Sequence, residues 1–370
     1  MNSHAQDPPA QPAGGPKWDP ASTWVFAVGV IEFKGEMSGW PQEGRKDAEL
    51  VALLKSRGVA ADHVVYLQDK DATRASIDAK FAEFLPKPGE ADTLIVYFTG
   101  HGSRGDAGDT CFTPYDFDSD KRAETGWDVA GVFDSINKSF KGKRAWVIAD
   151  CCYSGSIVET AKKHRRDRVN YACFASSSAS TTSTGNWTFT ECVIGAFKGD
   201  PRYDLNNDGV VRMREAAEFT TNEMAFIEGQ LSTFGATGFP DLALAARNGE
   251  RNEALARRIE CESEGKWYLA QILGTREGEI HVHYVGWDAK WDEWVKTERV
   301  RDWAPVTHPA GTAVEVRWHG KWYAAKVLES KLGLHLITYA DYGSNWDEWV
   351  GPTRIRLPGS GNEEDDEEGK

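Results

Sequence analysis

Two stretches decide the fold, TLIVYFTGHGSRGD at residues 93–106 and AWVIADCCYSGS at 145–156. Each opens as a nearly continuous apolar run, the pattern of a strand covered on both faces. Each then breaks into small, polar and reactive residues. Outward from this pair, similar runs recur as WVFAVGVIEF at 24–33, VVYL at 64–67 and YACFAS at 171–176, with helix-period segments near 45–57 and 74–84 between them. Strand and helix alternate, so the expected class is α/β, a mainly parallel sheet with helices on both faces. The carboxyl edge of such a sheet is where ligands bind. His101 and the pair Cys151 and Cys152 therefore belong to one edge.

Composition bounds the partners. The chain has 370 residues, 40% hydrophobic and 27% charged, with a net charge of -14. That balance is globular, and the acidic excess argues against nucleic acid, whose binding relies on Lys and Arg neutralising phosphates. No apolar run approaches the ~20 residues of a membrane span. The first residues lack a secretion signal, so a cytoplasmic protein with no membrane partner is expected. Six cysteines, unevenly spaced, do not form a disulfide framework.

Past residue 250 the helical patterns stop, and nine of the fifteen tryptophans fall between 267 and 349. An ungapped repeat at an offset of 55 explains the change: residues 264–301 match 319–356, with GKWY at 265–268 and 320–323 and WDEWV at 291–295 and 346–350. Short alternating runs within each copy predict a small antiparallel barrel. The expected organisation is a disordered leader at 1–20, an α/β unit at 21–248, barrels at 256–304 and 310–357, and a disordered acidic tail at 358–370. In the barrels, an alternative to an aromatic binding surface is that Trp267, Trp294, Trp322 and Trp349 simply fill cores with few positions.

A thiol nucleophile needs a base, and a nearby imidazole is the natural one. Either box alone is equally compatible with a turn histidine or a buried small thiol. Together, FTGHGSRGD at 98–106 and ADCCYSGS at 149–156 resemble the His and Cys boxes of caspase-fold cysteine peptidases, nearest the metacaspase and bacterial caspase-like branch. The separation of 51 residues agrees with the family spacing. The resemblance implies a caspase-like three-layer sandwich over about 22–245. It implies Cys152 as nucleophile, His101 as base, the N–H groups of Gly102 and Cys152 as oxyanion donors, and Asp150 as an acidic contact for Arg or Lys at P1. The chain departs from the family at 176–187, SSSASTTSTGNW, which carries no carboxylate, and at Tyr153, where many metacaspases have His.

Asp204, Asn206, Asp208, Gly209 and Glu215 occupy positions 1, 3, 5, 6 and 12 of an EF-hand calcium loop, with the Val210 carbonyl at position 7. An Asx-rich turn capping the next helix is the alternative. Calcium-dependent members exist among the resembled peptidases, so a calcium-responsive enzyme is expected. YVGWDAKWDEWV at 284–295 resembles the signature of chromo-barrel (Tudor-knot) domains. Their aromatic cage maps onto Tyr268, Tyr284, Trp287 and Trp291, and in the second copy onto Tyr323, Tyr339, Tyr342 and Trp346. Such a cage binds methylated ammonium groups. The expected protein is thus a caspase-like cysteine endopeptidase acting on protein or peptide, with barrels that hold a protein partner. The alternative is a non-proteolytic scaffold or methyl-lysine reader.

Overall fold

The computed structural model describes residues 15–164 and 168–360. Five parallel strands form the centre: β1 (Thr23–Gly29), β2 (Val64–Gln68), β3 (Thr93–Thr99), β4 (Arg144–Asp150) and β5 (Asn170–Ala175). A sixth, β6 (Thr233–Thr237), adds antiparallel to β5 and was not foreseen from sequence. The order is β6-β5-β4-β3-β1-β2, so the chain reverses its direction of travel between β1 and β3. Ligand crevices form at such a switch point.

Six helices cover the sheet. They are α1 (Lys46–Ser56), α2 (Arg74–Phe84), α3 (Val129–Ser139), α4 (Ser156–Lys163), α5 (Thr188–Lys198) and α6 (Met213–Ile227). Local chemistry sets several of their ends. Thr73 caps α2 by accepting from Ser76 N, Asp128 caps α3 by accepting from Gly131 N, and Gly199 ends α5 in a left-handed conformation. Helix α3 buries Val129, Val132, Phe133 and Ile136, an i, i+3, i+4, i+7 stripe. Helices α2, α3 and α4 pack on one face with Phe26, Val96 and Val147, while α1, α5 and α6 pack on the other with Ala27, Tyr97 and Ile148. The result is a three-layer sandwich.

The expected leader needs correcting at its end. Trp18 is 7% exposed, stands 4.8 Å from the Phe197 ring, and donates through Nε1 to Thr23 Oγ1 at 3.0 Å. Its backbone N–H and the Pro16 carbonyl both pair with Ala243. One large aromatic side chain, buried, offsets the ordering cost of the few residues around it. Residues 1–14 and 361–370, which include most of the expected leader and tail, lie outside the described residues.

The last third forms two five-stranded antiparallel sheets of the same strand order, spanning Arg258–Asp302 and Ala313–Arg356. Small aliphatic residues fill them: Ile259, Ala270, Val282 and Val295 in the first, Val314, Val316, Val327 and Ile337 in the second. The alternative that four tryptophans fill these cores does not hold, since neither core cluster contains a Trp. Trp267 is 39% exposed beneath the Arg301 guanidinium, Trp294 lies beneath Arg276 and Trp322 beneath Arg356. Trp349 packs outward against Ala225, Leu231 and Leu334. Strand alternation sets this: Val295 and Val350 point into the cores, so their neighbours Trp294 and Trp349 point away. Among the described residues no helix is long and apolar enough to cross a membrane, and all six cysteines are free thiols.

Candidate active site

Strand register brings the two boxes together. Thr99 at the end of β3 pairs with Asp150 at the end of β4. His101 and Cys152, each two residues further on, leave adjacent strands at one level. Both line a cavity of about 90 Å³, with Ile31 and Trp40 on the β1 side, Asp150 below, and Ser183 to Trp187 opposite.

The imidazole is held from the β1 side. Its Nε2 lies 2.8 Å from the Ser38 carbonyl oxygen, and the rings of Trp40 and Phe33 approach to 4.4 and 5.1 Å. A carbonyl only accepts, so Nε2 carries the proton and Nδ1 is the basic nitrogen. The loop bearing Ser38 is itself anchored. Asp69 Oδ1 accepts from the N–H groups of Ile31 and Glu32, at 2.9 and 3.1 Å, and Arg45 bridges Asp69 to Asp47.

The thiol is held from the other side. Ser183 N–H donates to Cys152 Sγ at 3.2 Å, and the N–H groups of Gly102 and Cys152 act on the same sulfur. Burial nevertheless raises the Cys152 pKa above that of a free thiol, because desolvation outweighs those three donors. Cys151 is 2% exposed and faces inward. Tyr153, next in sequence, has φ of 58°, a left-handed turn that its own N–H secures on the Thr181 carbonyl. Gly102 permits the close approach of the two boxes: a Cβ there would stand 2.0 Å from the Cys152 carbonyl oxygen.

The hydroxyl-rich segment at 176–187 is structural support for the cysteine box. Ser177 Oγ donates to the Cys151 carbonyl at 3.0 Å, and Ser154 and Ser177 exchange hydrogen bonds. Gln230 accepts from Thr184 N at 3.0 Å and donates to the Ser176 carbonyl. Asp150 is buried, accepts from Thr190 Oγ1 at 2.7 Å, and has its pKa pushed up to about 6, chiefly by desolvation. Glu228, just past α6, adds a second negative charge that acts on Asp150. Sequence reading missed Glu228, because it lies far along the chain from either box.

Against this geometry, similarity to known proteins is specific. The model described as "Caspase domain" (peptidase C14) matches residues 28–221, more than half of the chain. The chain belongs to the caspase-domain family. Metacaspase-4 of Arabidopsis thaliana is 26% identical over 140 residues, covering 35% of this chain and 32% of that protein. Metacaspase-2 of Trypanosoma brucei brucei is 27% identical over 154 residues, covering 36% and 40%. The matches thus span well under half the length of these curated relatives. The crystal structure of caspase-1 from Spodoptera frugiperda aligns with a TM-score of 0.43 and 11% identity, over 67% of this chain and 100% of that one. After the caspase domain, residues 250–302 match the Tudor-knot model, "RNA binding activity-knot of a chromodomain".

In the first barrel, Tyr268, Tyr284, Trp287 and Trp291 border a recess of about 450 Å³. Their rings meet nearly at right angles, with Tyr268 to Trp287 at 5.9 Å and Trp287 to Trp291 at 6.2 Å. In the second, Tyr323, Tyr339, Tyr342 and Trp346 cluster at 5.9 to 6.3 Å. Trp318 joins them, 5.9 Å from Trp346, where the first copy has Ser263.

The side chains of the EF-hand-like loop, expected to hold calcium, are engaged with the protein itself. Asp204 accepts from Asp208 N and Gly209 N and pairs with Arg247, and Asn206 Oδ1 also accepts from Asp208 N. Asp208 accepts from Val210 N and pairs with Arg212, and Glu215 accepts from Asn206 N and Arg212 N. Every side-chain oxygen of the set is thus bound to the protein, and two guanidinium groups supply the positive charge. Among the described residues no group of three or more His, Cys, Asp or Glu could hold a metal ion.

Proposed function

We propose that the caspase domain is a cysteine endopeptidase that cleaves after basic residues. The observation that carries this is a single cavity holding Cys152 and His101, with His101 tied through Nε2 to Ser38. The thiol begins protonated, since burial raises its pKa. His101 Nδ1 takes that proton as the sulfur attacks the peptide carbonyl carbon. Charge developing on the carbonyl oxygen meets the N–H groups of Gly102 and Cys152. The imidazolium returns its proton to the leaving amine, and water activated by the same nitrogen releases the acyl group. Asp150 and the nearby Glu228 favour a cationic P1 side chain. Free thiols suit a reducing compartment such as the cytoplasm. Fluorogenic peptides ending in Arg, Lys, Asp or Asn test this reading. Cleavage after Arg or Lys by wild type and none by Cys152→Ala is the expected result; equal cleavage by Cys152→Ala would refute it.

For the barrels, the reading best supported is capture of a cationic, methylated side chain on a protein partner. The first recess combines four aromatic rings with Glu264, Asp292 and Glu293 against a single Lys290. That balance attracts an ammonium and repels phosphate. Titration with a trimethyl-lysine peptide, followed by Trp fluorescence, tests it against single-stranded RNA.

A further inference from the structure

Ser183 and Thr184 line two spaces at once. One is the nucleophile cavity, and the other is a cleft of about 320 Å³ between the caspase domain and the second barrel. Its far wall is Trp349, Gly351 and Thr353 of that barrel, and its near wall is the chain following α6. The barrel is seated there by packing. Leu334, fully buried, meets Ala225 and Leu231, and a Cβ added to Gly351 would stand 3.3 Å from the Gly229 carbonyl oxygen. The barrel's Glu348 lies near enough to Tyr153, beside the nucleophile, for its charge to oppose ionisation of that phenol.

We infer that this cleft is a second part of the substrate site, in which the second barrel and the 181–184 segment together hold the polypeptide flanking the scissile bond. The inference rests on the peptidase reading above. Size and continuity support it: the nucleophile cavity takes about one side chain, while an extended polypeptide advances ~3.3 Å per residue and must continue beyond it. The larger cleft opens where that cavity ends. Charge specifies the occupant further. Glu348 is paired with Arg354, which reaches both its carboxylate oxygens at 2.7 and 2.9 Å. Glu228 accepts from two neutral donors, Asn186 Nδ2 at 3.0 Å and Thr188 Oγ1, rather than from a cation. The flanking segment preferred here is therefore one carrying Lys or Arg.

Two substrates sharing one P1 Arg test the inference on the full-length protein: a tripeptide coumarin amide, and an internally quenched peptide of about 12 residues with lysines flanking the core. Thr353 is exposed and outside the catalytic machinery, so Thr353→Trp fills the cleft from the barrel side, with Thr353→Arg as a second variant should the first fail to fold. The expected result is an unchanged kcat/KM on the coumarin amide and a loss of about tenfold or more on the long peptide. Replacing the flanking lysines by glutamates should cost wild type a similar factor. Equal effects on both substrates, or none on the long one, would overturn the inference. Failure of wild type to cut either substrate is a different outcome, which removes the peptidase reading and this inference with it.

Discussion

The Nε2 atom of His101 lies 2.8 Å from the carbonyl oxygen of Ser38, a residue 63 positions earlier in the chain. This bond assigns the imidazole its tautomer and leaves Nδ1 unprotonated, as the proposed mechanism requires. His101→Ala should lower kcat by about 10²–10⁴ with little change in KM, as steady-state kinetics will register. Because burial raises the Cys152 pKa, alkylation of this thiol by iodoacetamide should be slow at neutral pH. Its rate should climb to a midpoint above the usual ~8.5.

The register of the cysteine box gives a paired prediction. Both cysteines border the cavity, but Cys152 is partly exposed whereas Cys151 is 2% exposed and packs into the core. Cys152→Ala should abolish turnover with the fold retained. Cys151→Ala should keep turnover and cost about 1 kcal/mol of stability, read by denaturant titration. An inactive but folded Cys151→Ala would reverse the assignment.

Asp150 carries a stability cost that depends on pH. Burial raises its pKa from 3.8 to about 6, so between those values the folded state binds more protons than the unfolded one, and stability falls as pH rises through the window. The ceiling on that loss is about 3 kcal/mol, at 1.36 kcal/mol per unit. Asp150→Asn should raise Tm at pH 8 and change it little at pH 4. The same substitution should abolish the preference for Arg and Lys at P1.

The loop at 204–215 should respond to its arginines and not to calcium. Asp204 is fully buried and accepts from Asp208 N, Gly209 N and Arg247, so Asp204→Ala strips three donors of one acceptor and should cost about 3–5 kcal/mol. Millimolar calcium should leave the wild-type Tm unchanged. A calcium-dependent rise in Tm that is lost in Glu215→Gln would show that the ion displaces the arginines.

Trp291 is 54% exposed, and its indole contributes little to the barrel core. Trp291→Ala should change stability by no more than about 0.5 kcal/mol. It should weaken binding of a trimethyl-lysine peptide several-fold by calorimetry, as loss of one cation–π wall worth ~0.5–2 kcal/mol requires.

Much of this architecture was legible because its signals are local. Continuous apolar runs mark β1, β3 and β4, and the loops that follow carry His101 and Cys152 in the chain itself. The 55-residue repeat announces two barrels. Composition places Trp18 in a disordered leader because averages hide a single anchoring side chain. Strand β6 was missed because TFGAT at 233–237 is short and only weakly apolar.

The sequence by itself determined the class of fold, the candidate pair His101 and Cys152, and the aromatic character of the barrels, since each depends on residue identity at short spacing. Tertiary structure decided the rest. The Ser38 carbonyl is a backbone atom with no signature in residue type. Glu228 acts on Asp150 only because α6 returns to the sheet edge, and Trp318 joins the second cage only through barrel closure. Arg247 meets Asp204 across 43 residues and sets a positive charge beside the loop. Such partners are chosen by packing, and packing is a property of the whole chain.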